Sequence, residues 1–520
     1  MAEPTGAAHP RGRVREPEHS LAVLIVSSRH RLWQRYGADG VFAIERAVGD
    51  LVAAMAERAL AGTLLYVDDS PLLGRLGVLP AESGKPESVS RAVRGVADRM
   101  TWLEENARYV LVLGDDGIIP FHRLDNPSPD GEGHLLSDHD YGTEPASGLR
   151  PARAVGRIPD AGLGRFLEAI RAAAQAHRRL AAGGAPSGDL AFGYSASVWK
   201  KAARSVFRTV GDPRGMRLSP PVAEAELPID GLDGPRFHYF NLHGVADSPN
   251  WFGQRDPAFP ADYPFFPVAL RPADLGEAHG SVVFSEACYG ANIRERSLGG
   301  SMAHASLARG ALAFVGATGI AYGGLDDPLV GADVLARAFW EETLRGAAAG
   351  DALAAAKWRV VADALSRQGY LDAEDEKTVR NFVLYGDPSL VHHRPARAVA
   401  GSNGASASGA VEKAGPADPV GTLPAQPYAL GRATGPSDQL ADHVRAMVAR
   451  RLPEFATGEV QVATAPGRSG PCPKTAGMAT RTFVVTMCKA LPTCDGACYR
   501  HLVRVTVDAS GRIHKLTVTR

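Results

Sequence analysis

Phe237-His238-Tyr239-Phe240-Asn241-Leu242-His243-Gly244 and Ser281-Val282-Val283-Phe284-Ser285-Glu286-Ala287-Cys288 are two runs built the same way. Each is a largely apolar segment of strand length that ends on a chemically active side chain beside a small residue. Short apolar runs of this kind mark strands buried on both faces, as in a parallel sheet. The stretch between them leaves room for a crossover connection. Outward from them the pattern repeats. Leu190–Tyr194 and Ala311–Gly316 read as further strands, and Val198–Val210, Met302–Arg309, Leu329–Arg345 and Ala352–Ser366 as helices. On the N-terminal side, strands at Leu21–Ser27, Leu64–Val67 and Tyr109–Leu113 alternate with helices at Val41–Leu60 and Val89–Asn106, and Leu163–Leu180 is a closing helix. Alternation of these lengths predicts an α/β fold with a parallel sheet covered by helices on both faces.

A chain of 520 residues exceeds one hydrophobic core. Composition and periodicity divide it into a disordered lead-in at 1–19, an N-terminal α/β subdomain at 20–185, a second α/β subdomain at 186–395 that carries both runs, a flexible linker at 396–436 and a small domain at 437–520. The linker is dominated by Ala, Gly, Ser, Pro and Thr. The last domain reads as α+β, with a helix at Asp438–Arg451 and strands at Thr480–Cys488, Tyr499–Asp508 and Arg512–Thr519. Equal numbers of basic and acidic side chains, 57 each, leave no global field to attract nucleic acid or an acidic membrane. Neither a secretory leader nor an apolar run of membrane-spanning length is found, so the expected location is cytoplasmic. The five cysteines agree with a reducing compartment.

Open parallel sheets place functional residues at the carboxyl ends of their strands, where loops converge on a crevice. Here one such end presents His243 and another Cys288. A thiol near an imidazole is a nucleophile–base pair, the imidazole holding the proton while the thiolate attacks a carbonyl carbon. Gly244, with no side chain in the way, can offer its N–H together with that of Cys288 to the oxyanion that forms. Taken singly, a strand-end cysteine is more often a small buried hydrophobe and a lone histidine a structural one; pattern alone leaves the two readings balanced. No G-x-S-x-G elbow supports a serine hydrolase. Asp115-Asp116 and Asp138/Asp140 read as turn carboxylates rather than calcium ligands. Cys472, Cys488, Cys494 and Cys498 lack the paired C-x-x-C spacing of a zinc knuckle, and would form two disulfides in an exported protein. No metal and no cofactor are expected.

The His-Gly and Ala-Cys endings resemble motifs shared by caspases, legumains, separases and gingipains. Tyr109-Val110-Leu111-Val112-Leu113-Gly114-Asp115 with Ile119-Pro120, Ser137-Asp138-His139-Asp140-Tyr141-Gly142, Val155-Gly156-Arg157-Ile158-Pro159, Trp251 and Leu384-Tyr385-Gly386-Asp387-Pro388-Ser389-Leu390 follow in the order expected of the gingipain-like peptidases. The resemblance implies caspase-haemoglobinase-like sheets in two tandem subdomains. It also implies an endopeptidase that forms an acyl-enzyme on Cys288 with His243 as general base and acid. The alternative is a catalytically silent scaffold that binds a partner. Gingipains carry acidic residues in the loop after the strand equivalent to Leu190–Tyr194, whereas here Gly193-Tyr194-Ser195-Ala196-Ser197-Val198-Trp199-Lys200-Lys201 has none. Basic specificity is therefore not carried over. Trp199 would favour an apolar guest and Lys200 an acidic one; Asp326 and Asp327 would restore a basic preference from the other wall. Trp251 and Glu286 complete the expected substrate-binding set. Glu286 shares the face of Cys288 because it lies two residues before it on a strand. The expected partners are a protein or peptide substrate and a regulatory partner of the last domain; the alternatives for that domain are to present a substrate or to inhibit the body until cleaved.

Overall fold

The two runs become adjacent parallel strands, Phe237–Asn241 and Val282–Ser285, inside a ten-stranded sheet. The computed structural model describes residues 21–82, 84–102, 106–144, 148–184, 191–223, 234–260, 262–395, 437–465, 482–508 and 511–520. The lead-in at 1–19, the linker at 396–436, Ala509, Ser510 and Cys472 lie outside the described residues.

Across the sheet the strands run in the order Leu60–Tyr66, Leu21–Ser27, Asn106–Leu113, Ala154–Ile158, Phe382–Gly386, Ala313–Ala317, Val282–Ser285, Phe237–Asn241, Ala191–Ala196 and Arg217–Ser219. Every neighbouring pair is parallel except Ala313–Ala317 with Phe382–Gly386. The two tandem units therefore share one sheet, made of two internally parallel halves that meet head to tail. Their carboxyl ends open on opposite edges, and His243 and Cys288 belong to the second. Burial on both faces explains the unbroken apolar composition: Val23, Leu24, Ile25, Val110, Leu111, Val282, Phe284 and Phe314 are all inaccessible to solvent.

Helix bounds differ from the periodicity reading mainly at polar ends. The first helix runs Arg29–Ala56, with non-helical backbone at Gly37, and Ser28 caps its start by accepting from the Arg31 N–H. Its first third carries little apolar periodicity, so the pattern begins only at Val41. In the second half, Ala332–Leu344 and Ala349–Gln368 pack against each other and the sheet.

Residues beyond the linker form the helix Ser437–Ala449 and the strands Val460–Thr464, Thr482–Pro492, Cys498–Asp508 and Ile513–Thr519, one strand more than expected. Their antiparallel sheet is completed by Tyr322–Gly323 of the second half. Val444, Val448, Leu452, Val485, Met487, Val503 and Val505 belong to the same apolar cluster as Trp199, Phe237, Phe284 and Trp340. The last domain and the second half of the sheet thus share a core. Among the described residues no helix is long and apolar enough to cross a membrane.

Candidate active site

The backbone brings His243 and Cys288 to one edge because their strands are neighbours, with Phe240 paired to Ser285 at the last register position. Beyond Asn241 the chain enters a short strand, His243–Val245, of a separate three-stranded sheet with Ser248–Phe252 and Val268–Leu270. Beyond Cys288 it turns sharply, Tyr289 adopting φ of 57°. Gly244 lies against the Cys288 main chain so closely that a Cβ there would fall inside the Cys288 carbonyl oxygen. Only glycine fits, which is the steric reason for the His-Gly pair.

His243 has one held nitrogen and one open nitrogen. Its Nε2 lies 2.8 Å from Gln254 Oε1, while the buried Nδ1 has no partner among the described residues. Gln254 donates through Nε2 to Glu454 Oε1 at 2.9 Å, which fixes its amide with the oxygen toward the histidine. The imidazole therefore carries its proton on Nε2 and leaves Nδ1 with its lone pair. Trp199 and Tyr499 each pack against the ring with centroids 4.3 Å away, and Phe266 lies at 5.2 Å. Burial holds the His243 pKa well below the ordinary histidine value, and the nearby His501 and Arg520 act in the same direction. Cys288 Sγ accepts from the Ala321 N–H at 3.2 Å, and burial pushes its thiol up to about 12. The pair is thus neutral thiol and neutral imidazole in this closed arrangement.

Arg520, the last residue of the sequence, fills the space between these groups. Its carbonyl oxygen accepts from the N–H of Cys288 at 3.3 Å and of Gly244 at 3.5 Å, and its own N–H donates to Ala321 O at 3.1 Å. Just before it, Thr519 and Val518 pair antiparallel with Tyr322 and Gly323. The guanidinium is completely buried. It donates to Asp333 Oδ1 at 2.6 Å and to Gly324 O at 2.8 Å, lies 3.4 Å from Glu286 Oε2, and stacks 4.4 Å from the Trp199 ring centroid. Burial first, and the neighbouring Asp333 next, push the Glu286 carboxyl well above the usual range, with Arg520 opposing. Tyr239 donates to Glu286 Oε1 at 2.7 Å, and the Trp199 indole donates to Asn241 O at 2.8 Å, so both walls are fixed from behind.

The segment that pairs with Thr519 and Val518 is itself braced by the first half of the molecule. Glu132 accepts from the Ile320 N–H, Asp130 from the Tyr322 hydroxyl, and both carboxylates meet the buried ammonium of Lys377. Asn381 holds Gly319 N–H and Ile320 O.

Of the expected residues, His243, Gly244, Cys288, Glu286 and Trp199 gather around Arg520. Trp199 faces a cation rather than an apolar guest, because an indole face offers negative electrostatic potential as well as apolar surface. Trp251 packs on Phe240, centroids 5.1 Å apart, and lines a shallow recess with Gly244, Cys288, Ser248, Asn292 and Arg296. Asp326 and Asp327 are elsewhere engaged: Asp326 pairs with Arg451 and Lys201, and Asp327 accepts from Ser205. Lys200 is paired with Asp256. Sequence reading missed Asp333, Gln254, Tyr239 and the Ala321–Gly323 wall. Asp333 gave one signal: an acid inside the otherwise apolar start of a helix. Asp115 and Asp116 accept from backbone N–H groups of their own turn, and Asp138 is bound by the buried Arg157. Among the described residues Cys488, Cys494 and Cys498 are free and exposed, and no group of metal ligands occurs.

A thiol and an imidazole at neighbouring strand ends of such a sheet, with two converging amides beside them, define a cysteine peptidase of caspase-like fold. Residues 273–393, which include Cys288, match the model of Peptidase family C25. No curated protein matches the chain. Among solved structures, one described only as a protease is 11% identical with a TM-score of 0.50, covering 96% of each chain. The Arg-specific cysteine proteinase gingipain R (RgpB) is 13% identical with a TM-score of 0.48, over 98% of each chain. The complex of the Porphyromonas gingivalis RgpB pro- and mature domains is 12% identical with a TM-score of 0.48, over 96% of this chain and 99% of the other. At 11% identity, the likeness to the first of these is one of fold.

Proposed function

We propose that this chain is an endopeptidase that cleaves after arginine, through an acyl-enzyme on Cys288 with His243 as general base and then acid. The observation that carries the reading is the placement of Arg520: its carbonyl oxygen between the Gly244 and Cys288 amides, its guanidinium against Asp333, Glu286 and Trp199. A substrate seated in the same way has its scissile carbonyl polarised by two fixed donors beside the thiol. Cys288 Sγ bonds to the carbonyl carbon as the thiol proton passes to His243 Nδ1. The tetrahedral oxyanion rests on the two N–H groups. The C–N bond then breaks, and the imidazolium returns the proton to the leaving amine. Water, deprotonated by the same nitrogen, attacks the thioester; the product carboxylate leaves and the thiol is restored. Gln254 keeps the imidazole in the tautomer this needs. The recess lined by Trp251 and Ser248 is the space for the residues after the scissile bond, since apart from Gly244 and Cys288 its lining residues do not hold Arg520.

Arginine fits this pocket for a physical reason. Two buried carboxylates, a carbonyl and an indole face match a planar, delocalised cation with several donors better than a compact ammonium. Because Arg520 occupies the site, the test uses the full chain carrying Arg520→Glu, assayed on peptide amides with Arg, Lys, Leu or Asp before the cleaved bond. Arginyl peptides should be cut fastest, Cys288→Ala should abolish cleavage, and Asp333→Asn should lower kcat/KM on arginine by about 100-fold. An Arg520→Glu protein whose Cys288 reacts readily with alkylating agents but cuts no arginyl peptide would overturn the reading.

A further inference from the structure

Residues 437–520 do more than supply Arg520. Their sheet is extended by Tyr322–Gly323, their apolar face is part of the catalytic core, and buried ion pairs fasten them to the helix Ala373–Asn381 and its cap. Lys515 binds Asp372 and Asp375, each at 2.7 Å, and Arg504 binds Glu374. At the catalytic histidine, Tyr499 covers the ring, Glu454 takes the free end of Gln254, and His501 stands with Nδ1 3.0 Å from Glu454. At the recess, Asp495 accepts from Ser248 and Asn250. The last strand is anchored on its far side as well, where Val503 and Val505 pair with Val518 and Leu516.

We propose that residues 437–520 are an intramolecular inhibitor whose last strand occupies the substrate cleft as the acyl half of a substrate would, with Arg520, Thr519 and Val518 in the three positions before the scissile bond. The proposal rests on the active-site reading above only in calling the cleft a substrate cleft; the occlusion itself rests on the contacts. An extended peptide bound at a sheet edge gains main-chain hydrogen bonds and one specificity pocket. On its own such a segment would exchange readily. Here it is tethered to a folded sheet that is docked by its own core and ion pairs, so it competes at high effective concentration with any substrate in solution. The lid of Tyr499 and Glu454 also keeps water from the imidazole, which holds both catalytic groups neutral. An arginine in the pocket with a resting thiol beside it is what a competitive, self-supplied occupant produces.

The experiment compares full-chain wild type with Arg520→Glu, following alkylation of Cys288 by iodoacetamide with peptide mass spectrometry and, in parallel, hydrolysis of an arginyl peptide amide. Glutamate in place of Arg520 loses the bonds to Asp333 and Gly324 O and sets a carboxylate against Asp333, so it cannot seat. Labelling of Cys288 should accelerate at least tenfold, and a synthetic peptide with the sequence Leu516–Arg520, added in excess, should slow it again. Fast labelling without hydrolysis would support the occlusion while counting against the peptidase reading; fast labelling with hydrolysis supports both. Labelling equal in the two proteins would overturn the inhibitor. Hydrogen exchange on the wild type gives a second reading that needs no variant. The peptide containing Ala321–Gly324 should be as protected as the central strand Val282–Ser285, and exchange at the rate of an unpaired segment would overturn the proposal as surely.

Discussion

At the scale of single residues, the closed site is governed by what burial does to charge. A guanidinium withdrawn from water must find carboxylates, and Arg520 finds Asp333 and Glu286. A thiol withdrawn from water without a cation beside it stays protonated, and burial sets Cys288 at about 12. The sign of the pH dependence follows. With the acid's pKa raised, the reactive thiolate is scarce at neutral pH, roughly one in ten thousand at pH 8, and grows tenfold per unit upward. Alkylation of Cys288 in the wild type should therefore climb from pH 7 to pH 10 without a plateau. In the Arg520→Glu protein, where water and a chargeable imidazole reach the thiol, a plateau should appear near or below pH 8.5. Identical profiles would mean that the thiol is buried by something other than Arg520. His243, Gly244 and Cys288 were legible in the sequence because each sits at a strand end, where side-chain type and position speak together. Asp333 was not, since an acid in the first turn of a helix reads as a response to the helix dipole. Nor was the cation-binding use of Trp199, whose apolar character is the part a sequence displays.

At the scale of elements, the decisive piece is a two-residue strand. Tyr322–Gly323 is too short for any alternation to announce it, and Ala321-Tyr322-Gly323-Gly324 reads as a loop. It becomes a strand because Asp130, Glu132 and Asn381 pin it from behind and an extended segment lies along its front. The core strands of the sheet were legible for the opposite reason: they are buried on both faces and carry uninterrupted Val, Leu, Ile and Phe. Gly323 shows how tightly this edge is fitted, since a Cβ there would strike the Arg520 guanidinium. Gly323→Val should keep the fold while closing the passage into the pocket. We expect faster labelling of Cys288, because Arg520 no longer seats, together with a loss of at least tenfold in kcat/KM on arginyl peptides relative to the Arg520→Glu protein. Retained arginine cleavage would show that the side chain enters the pocket by another route.

At the scale of the whole molecule, the periodicity of the strands announced parallel pairing but not that the two halves would join in one sheet with opposed directions. That joint is made by a single antiparallel contact between Ala313–Ala317 and Phe382–Gly386, and both strands carry the same apolar pattern either way. The merging of the last domain with the catalytic core was equally hidden, because alternating strands look the same whether their apolar face meets their own helix or a neighbour's. The merger bears on how the cleft can open. If the last domain leaves as a unit, apolar surface on both sides must meet water; if it opens only when everything unfolds, the inhibitor cannot be released from an intact enzyme. Met487 lies in the shared cluster and is buried. Met487→Ala removes packing worth about 2–5 kcal/mol. Because the strand Leu21–Ser27 belongs to a separate apolar cluster, the loss should fall on the last domain alone. Labelling of Cys288 should then rise by about 30-fold or more while amide exchange in Leu21–Ser27 stays as slow as in the wild type. Equal acceleration in both would mean that docking and global folding are one event, and that release needs a cut in the chain or a partner that takes over the exposed face.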